Sequence, residues 1–200
     1  MSNSVQDMVT VYAEATPNPD SLKFVVNKPL MKDVSIEFKS QTEAEKSPIA
    51  KALFEKPYVT NVMLMDNFIA ITKKSEEEWV NIIPELRDFI KNYVTEGKEL
   101  VSDELVDTIE AKRRERLESQ GENEGIVRKI HEVLEEHVKP AVQTDGGHIE
   151  FKSFEDGVVT LILRGSCSGC PSAIVTLKAG IEGLLKRILP EVKEVRAEEL

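Results

Sequence analysis

The chain holds two cysteines, and they stand together as Cys167-Ser-Gly-Cys170. Two thiols at this spacing can ligate a metal or cycle between dithiol and disulfide. A structural staple is the poorer reading for a reducing compartment, where thiols stay reduced. Cys170 precedes Pro171, and proline favours the first position of a helix. Cys170 is therefore expected near a helix N-cap, where free N–H groups and the positive dipole end stabilise a thiolate as nucleophile or ligand. Gly165, Ser166, Ser168 and Gly169 allow a small, tightly turned loop whose peptide N–H groups can reach bound sulfide.

Two thiolates do not complete a metal site. Iron–sulfur clusters take four cysteines as a rule, and structural zinc takes four Cys/His ligands. Two chains related by a two-fold axis could each supply Cys167 and Cys170. Alternatively the histidines, His131, His137 and His148, could contribute. His131 and His137 read as residues of an amphipathic helix face. His148 follows the turn Asp145-Gly146-Gly147 and could approach the loop, although a strand-edge position is the simpler reading. On spacing alone a thioredoxin-like thiol–disulfide oxidoreductase fits as well. That motif belongs after a buried strand in a β-α-β unit. Here it follows a hairpin, and Cys170, the second cysteine, adjoins the helix. A zinc-bridged dimer is the third alternative.

The rest of the chain narrows the class. Its 200 residues are 40% hydrophobic and 31% charged, an ordinary globular composition. The net charge is −10, and half of that excess lies in residues 96–124, with 5 basic and 10 acidic side chains. No basic patch suited to phosphate neutralisation is visible, so nucleic acid is not an expected partner. No apolar run reaches the roughly 20 residues that span a bilayer. The start, Met1-Ser-Asn-Ser-Val-Gln-Asp7, has neither the basic nor the apolar region of a secretory signal, and it is not Arg-rich like a transit peptide. The cytoplasm is the expected compartment. The N-terminal half contains no cysteine and no acid–base constellation.

An α+β fold in two small mixed domains should position the cysteines. Residues 1–95 read as β-β-β-α-β-β-α. Strands are expected over Val9 to Ala15, Leu22 to Asn27 and Val34 to Lys39, then in a hairpin about Asp66-Asn67. Ser47-Pro48 should open a short helix. Ser75 and Glu78 match a capping box ahead of a helix bearing Trp79, Ile82, Ile83, Leu86, Phe89, Ile90 and Tyr93. Pro84 should bend that helix or divide it. Residues 96–122 form an acidic linker, partly helical, with a flexible joint at Gly121-Glu-Asn-Glu-Gly125. Residues 123–200 read as α-β-β-α-β: a helix from Ile126 that Pro140 ends, a hairpin at Glu155-Asp156-Gly157, a helix from Pro171 to Leu189, and a strand from Val192 to Arg196.

Three stretches of this second domain carry a family likeness: Pro140-Ala-Val-Gln-Thr-Asp-Gly-Gly-His-Ile-Glu-Phe151, Leu163-Arg-Gly-Ser-Cys-Ser-Gly-Cys-Pro-Ser172 and Thr176-Leu-Lys-Ala-Gly-Ile-Glu182. They resemble the C-terminal domain of NifU, the Nfu domain, over about residues 123–197. The first domain resembles the N-terminal domain associated with Nfu, through Ala15-Thr-Pro-Asn-Pro-Asp-Ser-Leu-Lys-Phe24, Ser47-Pro-Ile-Ala-Lys-Ala-Leu-Phe54 and the segment from Phe68 to Trp79. The resemblance implies an iron–sulfur assembly or carrier protein that binds its cluster through Cys167 and Cys170. A [4Fe–4S] cluster, with [2Fe–2S] as the other type, would bridge a homodimer and pass from a donor scaffold to client apoproteins. His148 departs from the family, in which many members have Asp at that position. The first domain, lacking any chemistry of its own, is assigned partner docking.

Overall fold

The computed structural model describes residues 8–32, 34–118, 124–167 and 171–199. The chain divides into two compact units, Met1–Asp107 and Thr108–Leu200, both mixing helix and strand in the order read from the sequence.

In the first unit, five antiparallel strands form a sheet of order β1-β2-β5-β4-β3. These are β1 (Val11–Ala15), β2 (Ser21–Val26), β3 (Ser35–Phe38), β4 (Val59–Met65) and β5 (Phe68–Lys73), with α1 (Pro48–Phe54) and α2 (Trp79–Thr95) completing the unit. β4 and β5 turn at Asp66, whose φ is 42°. The Asp66 carbonyl accepts from the amides of Leu30 and Met31 at 2.6 and 2.8 Å. Phe24, Leu64, Ile69, Leu53, Leu86 and Ile90 are fully buried in the core. Ser47 caps α1 by accepting from the Ala50 amide at 3.3 Å, and Pro48 takes the first helical position.

One expectation for α2 fails, and of the two outcomes expected of Pro84 the division does not occur. Ser75 does not cap it: the helix begins at Trp79, and Glu78 is the N-cap, without a side-chain bond. The Ser75 hydroxyl donates instead to Asp20 Oδ2 at 2.6 Å, a charged acceptor that holds it more strongly than a neutral partner would. Nor does Pro84 divide the helix, which runs unbroken through it. Pro84 and Val80, the residue whose carbonyl loses its amide partner, both lie on the exposed side, where water can take the amide's place. The chain stays packed on this unit beyond residue 96. Ser47 Oγ donates to the Leu100 carbonyl at 2.8 Å, and Val101 is buried. The helix expected in the acidic stretch is α3 (Asp103–Glu118). Of the expected joint, residues 121–123 lie outside the described residues, and Gly125 is already helical.

In the second unit, α4 (Glu124–Val133) passes through a π-helical turn, Leu134–Val138, into α5 (Lys139–Thr144). Pro140 therefore does not end the helix. The wider turn makes room for the proline ring, and Pro140 stands directly behind it in α5, with the helix continuing through. Three strands follow in the order β6-β7-β8: β6 (Gly147–Glu155), β7 (Val158–Gly165) and β8 (Glu194–Glu199). β6 and β7 form the expected hairpin. β8 runs parallel to β7, after the crossover helix α6 (Pro171–Ile188). Ile130, Leu134, Val142, Ile149, Leu161 and Leu185 are buried in one core.

Candidate functional site

The end of β7 delivers the first cysteine. Gly165, opposite Gly147 in the ladder, has a φ of 70°, a conformation that costs a side-chain-bearing residue and turns the chain back. Ser166 then donates its amide to the Gly146 carbonyl at 3.2 Å and its hydroxyl to the Asp145 carbonyl. Cys167 follows, 8% exposed and part of the core. Burial pushes its thiol up to about 11, with the Asp145 carboxylate acting in the same direction and the Ser166 hydrogen bond opposing. Ser168, Gly169 and Cys170 lie outside the described residues. α6 begins at Pro171, the place expected for the helix behind the motif.

The β7–α6–β8 segment is a parallel β-α-β unit, so the context expected to be missing for a thioredoxin-like motif is present. The activation that such chemistry needs is not found at Cys167. A nucleophilic cysteine has a lowered pKa, and this thiol is shifted the opposite way.

None of the three histidines joins Cys167 in a ligand set. Among the described residues, no group of three His, Cys, Asp or Glu side chains is placed to hold a metal ion. His137 is exposed, 3.9 Å from Glu136. His131 packs on the Phe151 ring with centroids 4.8 Å apart, and burial first, then Lys139, lowers its pKa. His148 lies on β6, an edge strand, paired with Arg164 of β7. It is more enclosed than its strand-edge position suggested. Burial first, then the charges of Lys139, Arg164 and Arg113, pushes its pKa down to about 3, and its Nδ1 has no partner among the described residues. Arg164 holds Glu150 at 3.1 Å. Sequence reasoning missed this charged cluster on the second face of β6, because alternation along the strand does not say what lies over that face.

The buried imidazole makes this unit acid-sensitive. Below the ordinary histidine value the unfolded chain takes up a proton at His148 that the folded chain refuses until about pH 3. The contribution of His148 to stability is therefore flat above about pH 6.5 and falls with pH below it, by about 2 kcal/mol at pH 5. Urea unfolding at pH 7.5 and pH 5 should show this loss in the wild type and a smaller one in His148→Asn. An equal loss in both would exclude His148 as its source.

Residues 11–97 match the family model for the scaffold protein Nfu/NifU N-terminal domain. Residues 130–196 match that for the NifU-like domain. The chain is 38% identical to the human NFU1 iron-sulfur cluster scaffold homolog, mitochondrial, over 92% of its own length and 70% of that protein. It is 37% identical to NifU-like protein 4, mitochondrial, of Arabidopsis thaliana, over 94% of its length and 65% of the relative's. For the NFU1 homolog of Drosophila persimilis the identity is 39%, over 92% and 64%. The chain thus spans just under two thirds of the plant and fly proteins.

Proposed function

Because the chain belongs to the Nfu/NifU family of iron–sulfur cluster scaffold proteins, we propose that it carries a [4Fe–4S] cluster as cargo, held by Cys167 and Cys170 of two chains. The observation that carries this reading is the donor count. The chain has two cysteines, and among the described residues no three His, Cys, Asp or Glu side chains are grouped to hold a metal ion. Half of a four-thiolate site fits what is there, and a second copy supplies the other half. A [2Fe–2S] cluster satisfies the same count, and iron stoichiometry separates the two.

Such a shared site suits delivery. Client thiolates can displace one chain's pair while the other pair still holds the cluster, so the four iron–thiolate bonds never open together. The chain is then a stoichiometric carrier between a donor scaffold and client apoproteins, not an enzyme, and it works in the reducing cytoplasm. No helix among the described residues is long and apolar enough to cross a membrane. The first unit serves docking of clients, while the second holds the cargo.

Anaerobic reconstitution with iron and sulfide tests this directly. It should give a brown dimer absorbing near roughly 400 nm with about four irons per pair of chains. A colourless zinc dimer, or a monomer that reduces disulfides catalytically, would favour the alternatives. In the same experiment, a chain lacking residues 1–95 should bind the cluster equally well but pass it more slowly to at least one client. Undiminished transfer to every client would remove the docking role.

A further inference from the structure

The geometry points to residues 145–147 as the seat of the ligand loop, with Gly147 and Ser166 as positioning residues for the Cys167 thiol. β7 ends opposite the start of β6, at the pair Gly165 and Gly147. The chain then folds back across that start, and one residue, Ser166, occupies two successive carbonyls of the turn. Its amide bonds Gly146 O at 3.2 Å and its hydroxyl bonds Asp145 O, with the serine itself buried. The next side chain, the thiol, lies in the space that a side chain at position 147 would fill. A Cβ on Gly147 would stand 2.3 Å from Cys167 Sγ, 3.0 Å from Cys167 Cβ and 3.2 Å from the Arg164 carbonyl oxygen. The last two neighbours cannot rotate away. The thiol in this seat and a side chain at 147 are therefore mutually exclusive.

This arrangement gives the second glycine of Asp145-Gly146-Gly147 a role of its own. Gly146 lies within the turn itself, whereas Gly147 is the first residue of β6 and is bare because sulfur sits on it. A ligand that follows a residue fixed by two hydrogen bonds and rests in a fitted seat is positioned before its cargo arrives, and residues that orient a ligand tune its hold on metal. The inference rests on Cys167 being a cluster ligand.

The test uses the full chain with Ser166→Ala and with Gly147→Ala, at a temperature where circular dichroism shows each variant folded. Two readouts are taken. One is the half-life of the reconstituted cluster against an iron chelator, together with its visible circular dichroism bands. The other is the iodoacetamide alkylation rate of Cys167 in the cluster-free chain carrying Cys170→Ser, relative to the urea-unfolded chain. Both variants should shorten the half-life by about tenfold, shift the visible bands and raise the alkylation rate severalfold. If Gly147→Ala does not fold, Ser166→Ala carries the test alone. Variants that keep wild-type half-life and alkylation rate, whatever their thermal midpoints, would overturn the proposal. Full cluster retention by Cys167→Ser would instead overturn the ligand assignment, and the alkylation result would still report on the seat.

Discussion

Cys167→Ser should leave the reconstituted protein colourless, with iron falling from about four per pair of chains to background. The effect is large because each lost thiol is counted twice: a dimer of the variant offers two thiolates where a cluster needs four. A serine hydroxyl is a poor substitute, since it does not ionise near neutral pH and oxygen is a harder ligand than sulfur. The fold should survive. Serine is smaller than cysteine by the difference between oxygen and sulfur, so the seat on Gly147 accepts it without a clash. Far-ultraviolet circular dichroism should overlay the wild type while the absorption near roughly 400 nm disappears. A variant that stays brown with full iron content would remove Cys167 from the ligand set.

The second large effect lies in the first unit. Lys73 is nearly enclosed, its side chain 4% exposed, and it pairs with Asp20 at 2.8 Å. Asp20 also receives the Ser75 hydroxyl, and the Lys73 and Ser75 bonds hold its carboxyl below the usual range. Lys73 lies 5.4 Å from the centroid of the Trp79 ring, whose Nε1 donates to the Pro19 carbonyl at 2.9 Å. This cluster ties the turn between β1 and β2 to the end of β5 and the start of α2. Removing one partner strands the other, and the two partners are unequal. Asp20→Asn removes the countercharge from a buried ammonium, which keeps the neutral carboxamide oxygen and the Lys74 carbonyl at 3.3 Å as acceptors, and should cost about 2–3 kcal/mol. Lys73→Met leaves a carboxylate that is 31% exposed and can hydrate, while the methionine packs on the indole, so it should cost less. Trp79 is the one tryptophan of the chain, and its fluorescence during urea unfolding reports on this unit. A Lys73→Met chain no more stable than Asp20→Asn would reject the asymmetry.

These residues also show where sequence was informative and where it was not. Strand order and the two hairpins were legible because alternation and turn residues are local signals. The capping box was a local match too, but Asp20, distant in sequence, claimed Ser75, and no window around residue 75 contains that competitor. The expectation that Pro84 could divide its helix and the expectation that Pro140 ends one misled for a shared reason. Proline rules describe the bond that is lost, whereas burial and a neighbouring π turn decide whether the loss matters. At the site, the cysteine motif was plain, and its stoichiometry could be counted. The role of Gly147 left one faint signal, a second glycine next to the glycine of the turn. The enclosure of His148 left none.

One irregularity in the hairpin acquires significance from the cysteine seat. The β6–β7 ladder shifts register between Phe151 and Ser153, and Phe151 and Phe154 both face the core although an even alternation would separate them. Lys152 is thus the extra residue of a bulge. Were residue 152 paired regularly instead of bulged, the count outward from the far turn would bring His148 opposite Gly165, and an imidazole would stand where Gly147 now leaves room for the sulfur. The bulge works as a spacer in a measuring rod: a surface lysine, bonded to Glu198 at 2.5 Å and remote from the chemistry, determines which residue lies beneath the thiol.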